Sequence, residues 1–139
     1  MTPDVLFAAT SQLAMVTWVL MMLFPRRPFI TTILAGIVTP VVLAVVYVVI
    51  ILSWWWSADG GFSSLGEVAT LFDNPWLLLA GWVHYLAFDL LVGRWELRDA
   101  QTRGVPYYLV VPCLVLTFMF GPGGWLLYCV IRTWAGRAR

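Results

Sequence analysis

The sequence predicts an all-α integral membrane bundle of four transmembrane helices, the fourth kinked or broken between Gly121 and Gly124. Three observations carry this expectation. The chain of 139 residues is 62% hydrophobic and 11% charged, whereas a soluble domain of this size carries roughly a quarter charged residues. Its apolar residues gather in runs of about 20, the length that crosses a hydrocarbon core about 30 Å thick as a helix. Arginine, aspartate, glycine and proline collect in the short stretches between the runs. Together these describe one transmembrane domain over residues 1–139.

The first span, about residues 5–24, is apolar except for Thr10, Ser11, Gln12 and Thr17, and Pro25-Arg26-Arg27-Pro28 stops it. Hydroxyl and amide groups inside a span are expected to hydrogen-bond between helices. The second span, about 31–52, is rich in Val and Ile and contains Thr39-Pro40. Proline removes a backbone donor and kinks a helix, which membrane helices tolerate where neighbours satisfy the freed carbonyl. Trp54-Trp55-Trp56 then reads as an anchor at the headgroup level. Residues 57–73 form the one long connection. Within it, Ser64 and Glu67 have capping-box spacing and Leu65, Val68, Ala69 and Phe72 have helical spacing, so 64–72 reads as a short interfacial helix or a plain loop.

Asn74-Pro75 opens the third span, about 75–92, with a capping residue followed by proline at the first helical position. Its far end is polar, from Arg94 to Gly104. Pro106 precedes the fourth span, about 107–131, and Gly121-Pro122-Gly123-Gly124 makes this either one kinked helix or two half-helices. Arg132, Arg137 and Arg139 form the tail. Cys113 and Cys129 fall in this stretch; on one continuous helix they stand about 24 Å apart and cannot pair.

Arg26 and Arg27 in the first connection and Arg94, Arg98 and Arg103 around the third place both connections in the cytoplasm by the positive-inside rule. Four spans then put both termini outside, against which the arginines of the tail argue. A chain that turned back at the glycine-rich break would bring the tail inside and remove the conflict. The start, Met1-Thr2-Pro3-Asp4, has neither a basic leader nor a transit composition, so the expected location is a bacterial cytoplasmic membrane. A net charge of +1 and no basic run argue against nucleic acid. One histidine with scattered carboxylates lacks a metal-ligand set, and no phosphate loop, nucleophile elbow or dinucleotide fingerprint is present, so neither metal nor cofactor is expected. The expected partners are the lipid bilayer and an apolar ligand, with a homodimer as the natural way to thicken so thin a bundle.

The third span carries His84 and Asp89 in its interior. An acid at that depth costs about 2.5–3.5 kcal/mol on insertion scales, so it must face protein, water or a ligand. At about 100° per residue Trp82, Tyr85 and Asp89 share a face, and His84 lies about 140° round from Asp89, so the two are no dyad but can line two walls of one pocket. The alternatives are an imidazole bonded to a neighbouring carbonyl for His84 and an ion pair with Arg94 or Arg132 for Asp89. In the fourth stretch Cys113, Thr117, Gly121, Gly124, Tyr128 and Arg132 follow at helical spacing and form one stripe on a continuous helix, suited to close packing or to a flat ligand. Glu96, Arg98, Asp99 and Arg103 read as a solvated charge cluster at the cytoplasmic rim, or as groups that hold a lipid headgroup.

The stretches Trp82-Val83-His84-Tyr85-Leu86-Ala87-Phe88-Asp89-Leu90-Leu91-Val92-Gly93-Arg94-Trp95 and Pro112-Cys113-Leu114-Val115-Leu116-Thr117-Phe118-Met119-Phe120-Gly121-Pro122 resemble the ABA-deficient-four-like family. These are small integral membrane proteins whose plant members act in neoxanthin formation in the plastid. Tyr107 and Tyr108 depart from the pattern, since members often carry a histidine there. The resemblance implies carotenoid chemistry without redox change, by a carotenoid or polyisoprenoid isomerase: an epoxide end ring opens, a neighbouring proton is lost and an allene forms. Such a reaction needs an acid and a base in an apolar slot. Asp89 is then the acid and His84 the base. Trp82, Tyr85, Thr117, Gly121 and Tyr128 would bind substrate, with Arg94, Asp99 and Arg132 at the rim. A non-catalytic carotenoid-binding or scaffold protein is the alternative.

Overall fold

The computed structural model describes residues 2–137, with side chains from 2 to 135. Arg139 lies outside the described residues and the Arg137 side chain is not described. The chain is all-helical, with α1 (Pro3–Leu23), α2 (Phe29–Ser57), α3 (Leu65–Phe72), α4 (Pro75–Arg103), α5 (Tyr107–Phe120) and α6 (Pro122–Arg137). α1, α2 and α4, of 21, 29 and 29 residues, are long and apolar enough to cross a membrane, and α5 is a shorter apolar helix. Val16, Val45, Val49, Leu52 and Val130 face outward. Such a continuous apolar exterior suits lipid and not water.

α4 packs against every other helix, because both core clusters are built on it. One joins Trp18 and Met21 of α1 with Leu90 and Leu97 of α4, Val110 and Leu114 of α5 and Tyr128 of α6. The other joins Ala14, Leu43, Ile50, Leu79 and Val83 across α1, α2 and α4. Two hydroxyls bond between helices: the buried Thr17 and Thr39 oxygens lie 2.9 Å apart, and the exposed Trp82 indole donates to Ser11 at 2.9 Å. Thr10 instead donates back to the Leu6 carbonyl at 2.8 Å.

Local signals set the helix ends. The Asn74 side chain accepts from the Trp76 amide at 2.9 Å, and Gly104 closes α4 in the left-handed conformation, φ 65°. α4 therefore runs eleven residues beyond the apolar stretch, since the charged residues after Val92 end the hydrocarbon crossing and not the helix. Ser64 accepts from the Glu67 amide at 3.2 Å while the Glu67 carboxylate accepts from the Ser63 amide at 3.0 Å, so α3 is a capped helix. In α2 the proline takes a different form from a simple kink. Residues Phe29–Val38 just before it widen to a π-helix, with the Thr39 amide bonded to the Leu34 carbonyl. The Arg94 side chain crosses this segment over Gly36 and donates to the Thr31 carbonyl at 2.9 Å.

The glycine-rich break turns the chain back. Gly121, φ 45° and ψ −98°, ends α5, and Pro122 starts α6 at a position where its missing donor costs nothing. Gly121 lies on Asp89 and Thr117 bonds Glu96, so α5 runs antiparallel to α4. Tyr128 and Arg132 then meet Asp99, so α6 returns alongside α4. Gly124 sits so close to the Thr117 amide and the Cys113 carbonyl that a Cβ would stand 2.1 and 2.6 Å from them. Cys113 and Cys129 thus belong to two helices of a hairpin and not to one continuous helix; both are free thiols. The side-chain bonds of Gln101 to the Pro25 carbonyl and of Tyr107 to the Met22 carbonyl gather both connections at the same end as Arg132.

Gly124→Ala should lower stability by about 1–3 kcal/mol, because the clash is with backbone and cannot relax by rotamer change. Gly123→Ala, whose nearest neighbour is 3.8 Å away, is the control and should be near neutral. Thermal unfolding of the purified variants in detergent checks both.

Candidate functional site

The face of α4 that looks toward α1 and the hairpin carries Tyr85, Asp89, Gly93 and Glu96. Asp89 and Glu96 are seven residues apart, so their directions differ by only about 20° and their backbones by about 10.5 Å along the axis. Asp89 is 9% exposed and Glu96 is fully buried. Gly121 takes the place beside Asp89 that a side chain would fill, with an added Cβ 2.9 Å from Oδ1. The Tyr85 hydroxyl donates to the Phe118 carbonyl at 2.8 Å, which fixes the end of α5 against α4. Thr117 donates to Glu96 Oε1 at 2.8 Å. Between the two acids, Gly93 receives the ring of Trp18, so close that a Cβ would stand 2.2 Å from it.

Three buried polar atoms around this face have no hydrogen-bond partner: Asp89 Oδ2, Glu96 Oε2 and Trp18 Nε1. Among the described residues, no arginine pairs with either acid. Arg94 is turned to the Thr31 carbonyl, and Arg132 lies 3.4 Å from Asp99 and over the Trp95 ring at 5.2 Å. The ion pair considered for Asp89 is therefore not formed.

His84 faces the other way, toward α2. Its ring packs on Tyr47 at 5.7 Å and edge-on to Phe88 at 4.6 Å between centroids. It lines a groove of about 470 Å³ with Tyr47, Trp55, Phe62, Phe72 and Leu77. Asp89 does not line that groove. The two residues stand on different walls of α4, with Phe88, 57% exposed, on the flank between them.

Of the other residues singled out by sequence, Thr117, Gly121 and Tyr85 gather at Asp89 and Glu96. Trp82 packs near the start of α1 against Phe7, 5.4 Å between centroids. Tyr128 is buried and donates to Asp99 at 2.6 Å, and Arg103 pairs with the same carboxylate at 3.0 Å. Of the expected charge cluster of Glu96, Arg98, Asp99 and Arg103, Asp99 pairs with Arg103 and also meets Arg132, while Glu96 is buried and bonded to Thr117. Sequence reasoning put Glu96 there because its neighbours are charged; its helical phase, aligned with Asp89, was the signal for burial.

A central helix with two buried acids, clasped by a short helical hairpin, defines a small helical membrane protein with an acidic site inside it. The family model described as ABA DEFICIENT 4-like matches residues 5–128, and the chain belongs to this ABA4-like family. Neither the curated proteins nor the solved structures contain a match.

Thr117→Val should cost about 1–3 kcal/mol by leaving both Glu96 oxygens without a donor, while Thr117→Ser should retain most of the stability. Melting temperatures of the two variants in one detergent check this; equal values would show that the hydroxyl does not support the carboxyl.

Proposed function

We propose that the chain binds an apolar polyisoprenoid, a carotenoid or a relative of one, and rearranges it without redox change. The reaction is the one the family implies, an epoxide opened to an alcohol with formation of an allene. An acid gives a proton to the epoxide oxygen as the C–O bond breaks, and a base takes the proton lost from the neighbouring carbon. The product has the mass of the substrate, and no oxidant or reductant is consumed.

The observation that carries this reading is Asp89, a carboxyl buried beside the hairpin turn with no cation opposite it among the described residues and one oxygen without a partner. Ionisable groups at such depth are costly and mark functional sites by default. Asp89 is the acid and His84 the base. The aromatic groove beside His84, about 470 Å³, falls in the range of ligand pockets, about 300–1,000 Å³, and seats part of a long hydrocarbon. Phe88 offers an open apolar flank between groove and acid, so an end ring lying over it has His84 at one edge and the Tyr85–Asp89 side at the other.

In the bilayer, α5 and α6 act as a re-entrant hairpin in place of a fourth span. With the arginine-bearing end in the cytoplasm, both connections and the end of α6 follow the positive-inside rule and the start of α1 lies outside. A second reading is a non-catalytic carotenoid binder or scaffold. It is favoured by one fact, that the groove is built apart from Asp89.

Co-expression with a carotenoid pathway, followed by pigment chromatography, tests both. A new isomer of equal mass is expected from the native chain. Asp89→Asn and His84→Ala should each cut its yield by about 100-fold or more at unchanged membrane level. Unchanged isomer from either variant removes that residue from the mechanism, and co-purified unaltered pigment supports the binder.

A further inference from the structure

Glu96 has no part in the mechanism above, yet it is fully buried and holds one hydrogen bond, from Thr117. Its free oxygen joins the free oxygen of Asp89 and the indole N–H of Trp18 as buried polar atoms without a partner, and the benzo edge of the Trp18 ring lies on Gly93, between the two acids along α4. Trp18 comes from a different helix and is 1% exposed, so its idle donor is independent of the two acids. Three residues beyond Glu96, Asp99 opens the polar end of α4, where its side chain is 16% exposed and meets Tyr128, Arg103 and Arg132. Further in along α4, the Arg94 guanidinium is turned away to the Thr31 carbonyl. Among the described residues no cation contacts Asp89 or Glu96, and two bare negative charges there repel in a medium that screens poorly, so the pair holds at least one proton.

We infer that Glu96 is the relay of a proton route along α4, carrying protons between water at the arginine-bearing end and the buried Asp89. The axial steps are about 4.5 Å from Asp99 to Glu96 and about 10.5 Å from Glu96 to Asp89. Side-chain reach covers the first, and one or two bound waters complete the second. Buried waters sit where two to four polar groups await partners, and Asp89 Oδ2, Glu96 Oε2 and Trp18 Nε1 are such groups. Thr117 occupies Oε1 and leaves Oε2 as the oxygen that takes and passes the proton. Each proton that Asp89 gives up is replaced by one from bulk water, and the proton taken by His84 is released to water, so no net charge accumulates over a turnover. Hydrocarbon on the outer faces supplies no protons, and an acid at the hairpin turn has this way of being recharged. The route extends the reading of Asp89 as an acid, but it runs without substrate and is tested without one.

The test is infrared spectroscopy of the purified, substrate-free protein on transfer from H2O to D2O. The carboxylic-acid carbonyl band that disappears in Asp89→Asn reports the buried proton. In the native chain this band should shift on deuteration, and in Glu96→Gln the shift should be slowed by about tenfold or more. Glu96→Asp should restore much of the rate. Where Glu96→Gln melts too low to measure, Thr117→Ala, which retains the carboxyl, should slow the exchange as well. Exchange as fast in the melting-competent variants as in the native chain overturns the relay, as does the absence of any such band. Failure here with isomer still formed would leave the proposed activity standing, and the converse result would leave the route standing.

Discussion

A carboxyl group is tolerated in hydrocarbon only behind protein, and this requirement fixes where each helix of the chain stands. α4 carries two such groups and is therefore the helix that all others touch. Shielding them needs close approach from both sides. Gly93 admits the Trp18 ring of α1, Gly121 brings the hairpin turn onto Asp89, and Gly124 lets α6 lie on the backbone of α5. Each glycine sits where an added methyl would meet a neighbour at 2.9 Å or less. The helices so placed bury their polar atoms inward and leave valine, leucine and phenylalanine outside, which is the arrangement a bilayer stabilises.

The hairpin follows from the same constraint. A fourteen-residue helix rises about 21 Å, less than the hydrocarbon thickness, so α5 stops at the depth of Asp89. Gly121 supplies a backbone conformation that other residues adopt only under strain, and Pro122 restarts the helix without a lost hydrogen bond. The return of α6 brings Arg132 to Asp99 and Trp95 at the end that already holds Arg26, Arg98 and Arg103. An uninterrupted fourth helix would have carried that arginine to the opposite end of the bundle, away from its carboxylate partner.

Much of this was legible in the residues. The hydropathy runs, the Asn74-Pro75 start and the Ser64–Glu67 box each act through local chemistry, and the helices begin where those signals lie. Part of the stripe from Cys113 to Arg132 was also visible: Thr117, Gly121, Tyr128 and Arg132 meet residues of α4, although on two helices and not one, while Gly124 lies on α5. What the sequence left open is non-local. Whether Gly121-Pro122 bends or reverses the chain depends on what α4 offers opposite it, and the answer is Asp89 and Glu96. Glu96 was misplaced for a related reason: flanking charges suggest solvent, whereas phase along the helix sets direction. The widening of α2 before Pro40, with Arg94 lying across Gly36, depends likewise on a partner 58 residues away.

The two sides of α4 differ in chemistry, one aromatic and one acidic. Toward α2 and α3 the helix presents His84 within a wall of rings, where flat hydrocarbon packs at little cost in hydrogen bonds. Toward the hairpin it presents acids sealed from lipid by Trp18, Tyr85 and Phe118. A groove that contained the acids would leave them facing hydrocarbon whenever it was empty, and an acid site without a groove could not hold a long chain. Placing the two on adjacent flanks of one helix, with Phe88 between them, keeps the carboxyls apart from the open groove. The shielding is thinner at Asp89, which retains a 9% exposure, than at Glu96, seven residues further along the helix and fully buried.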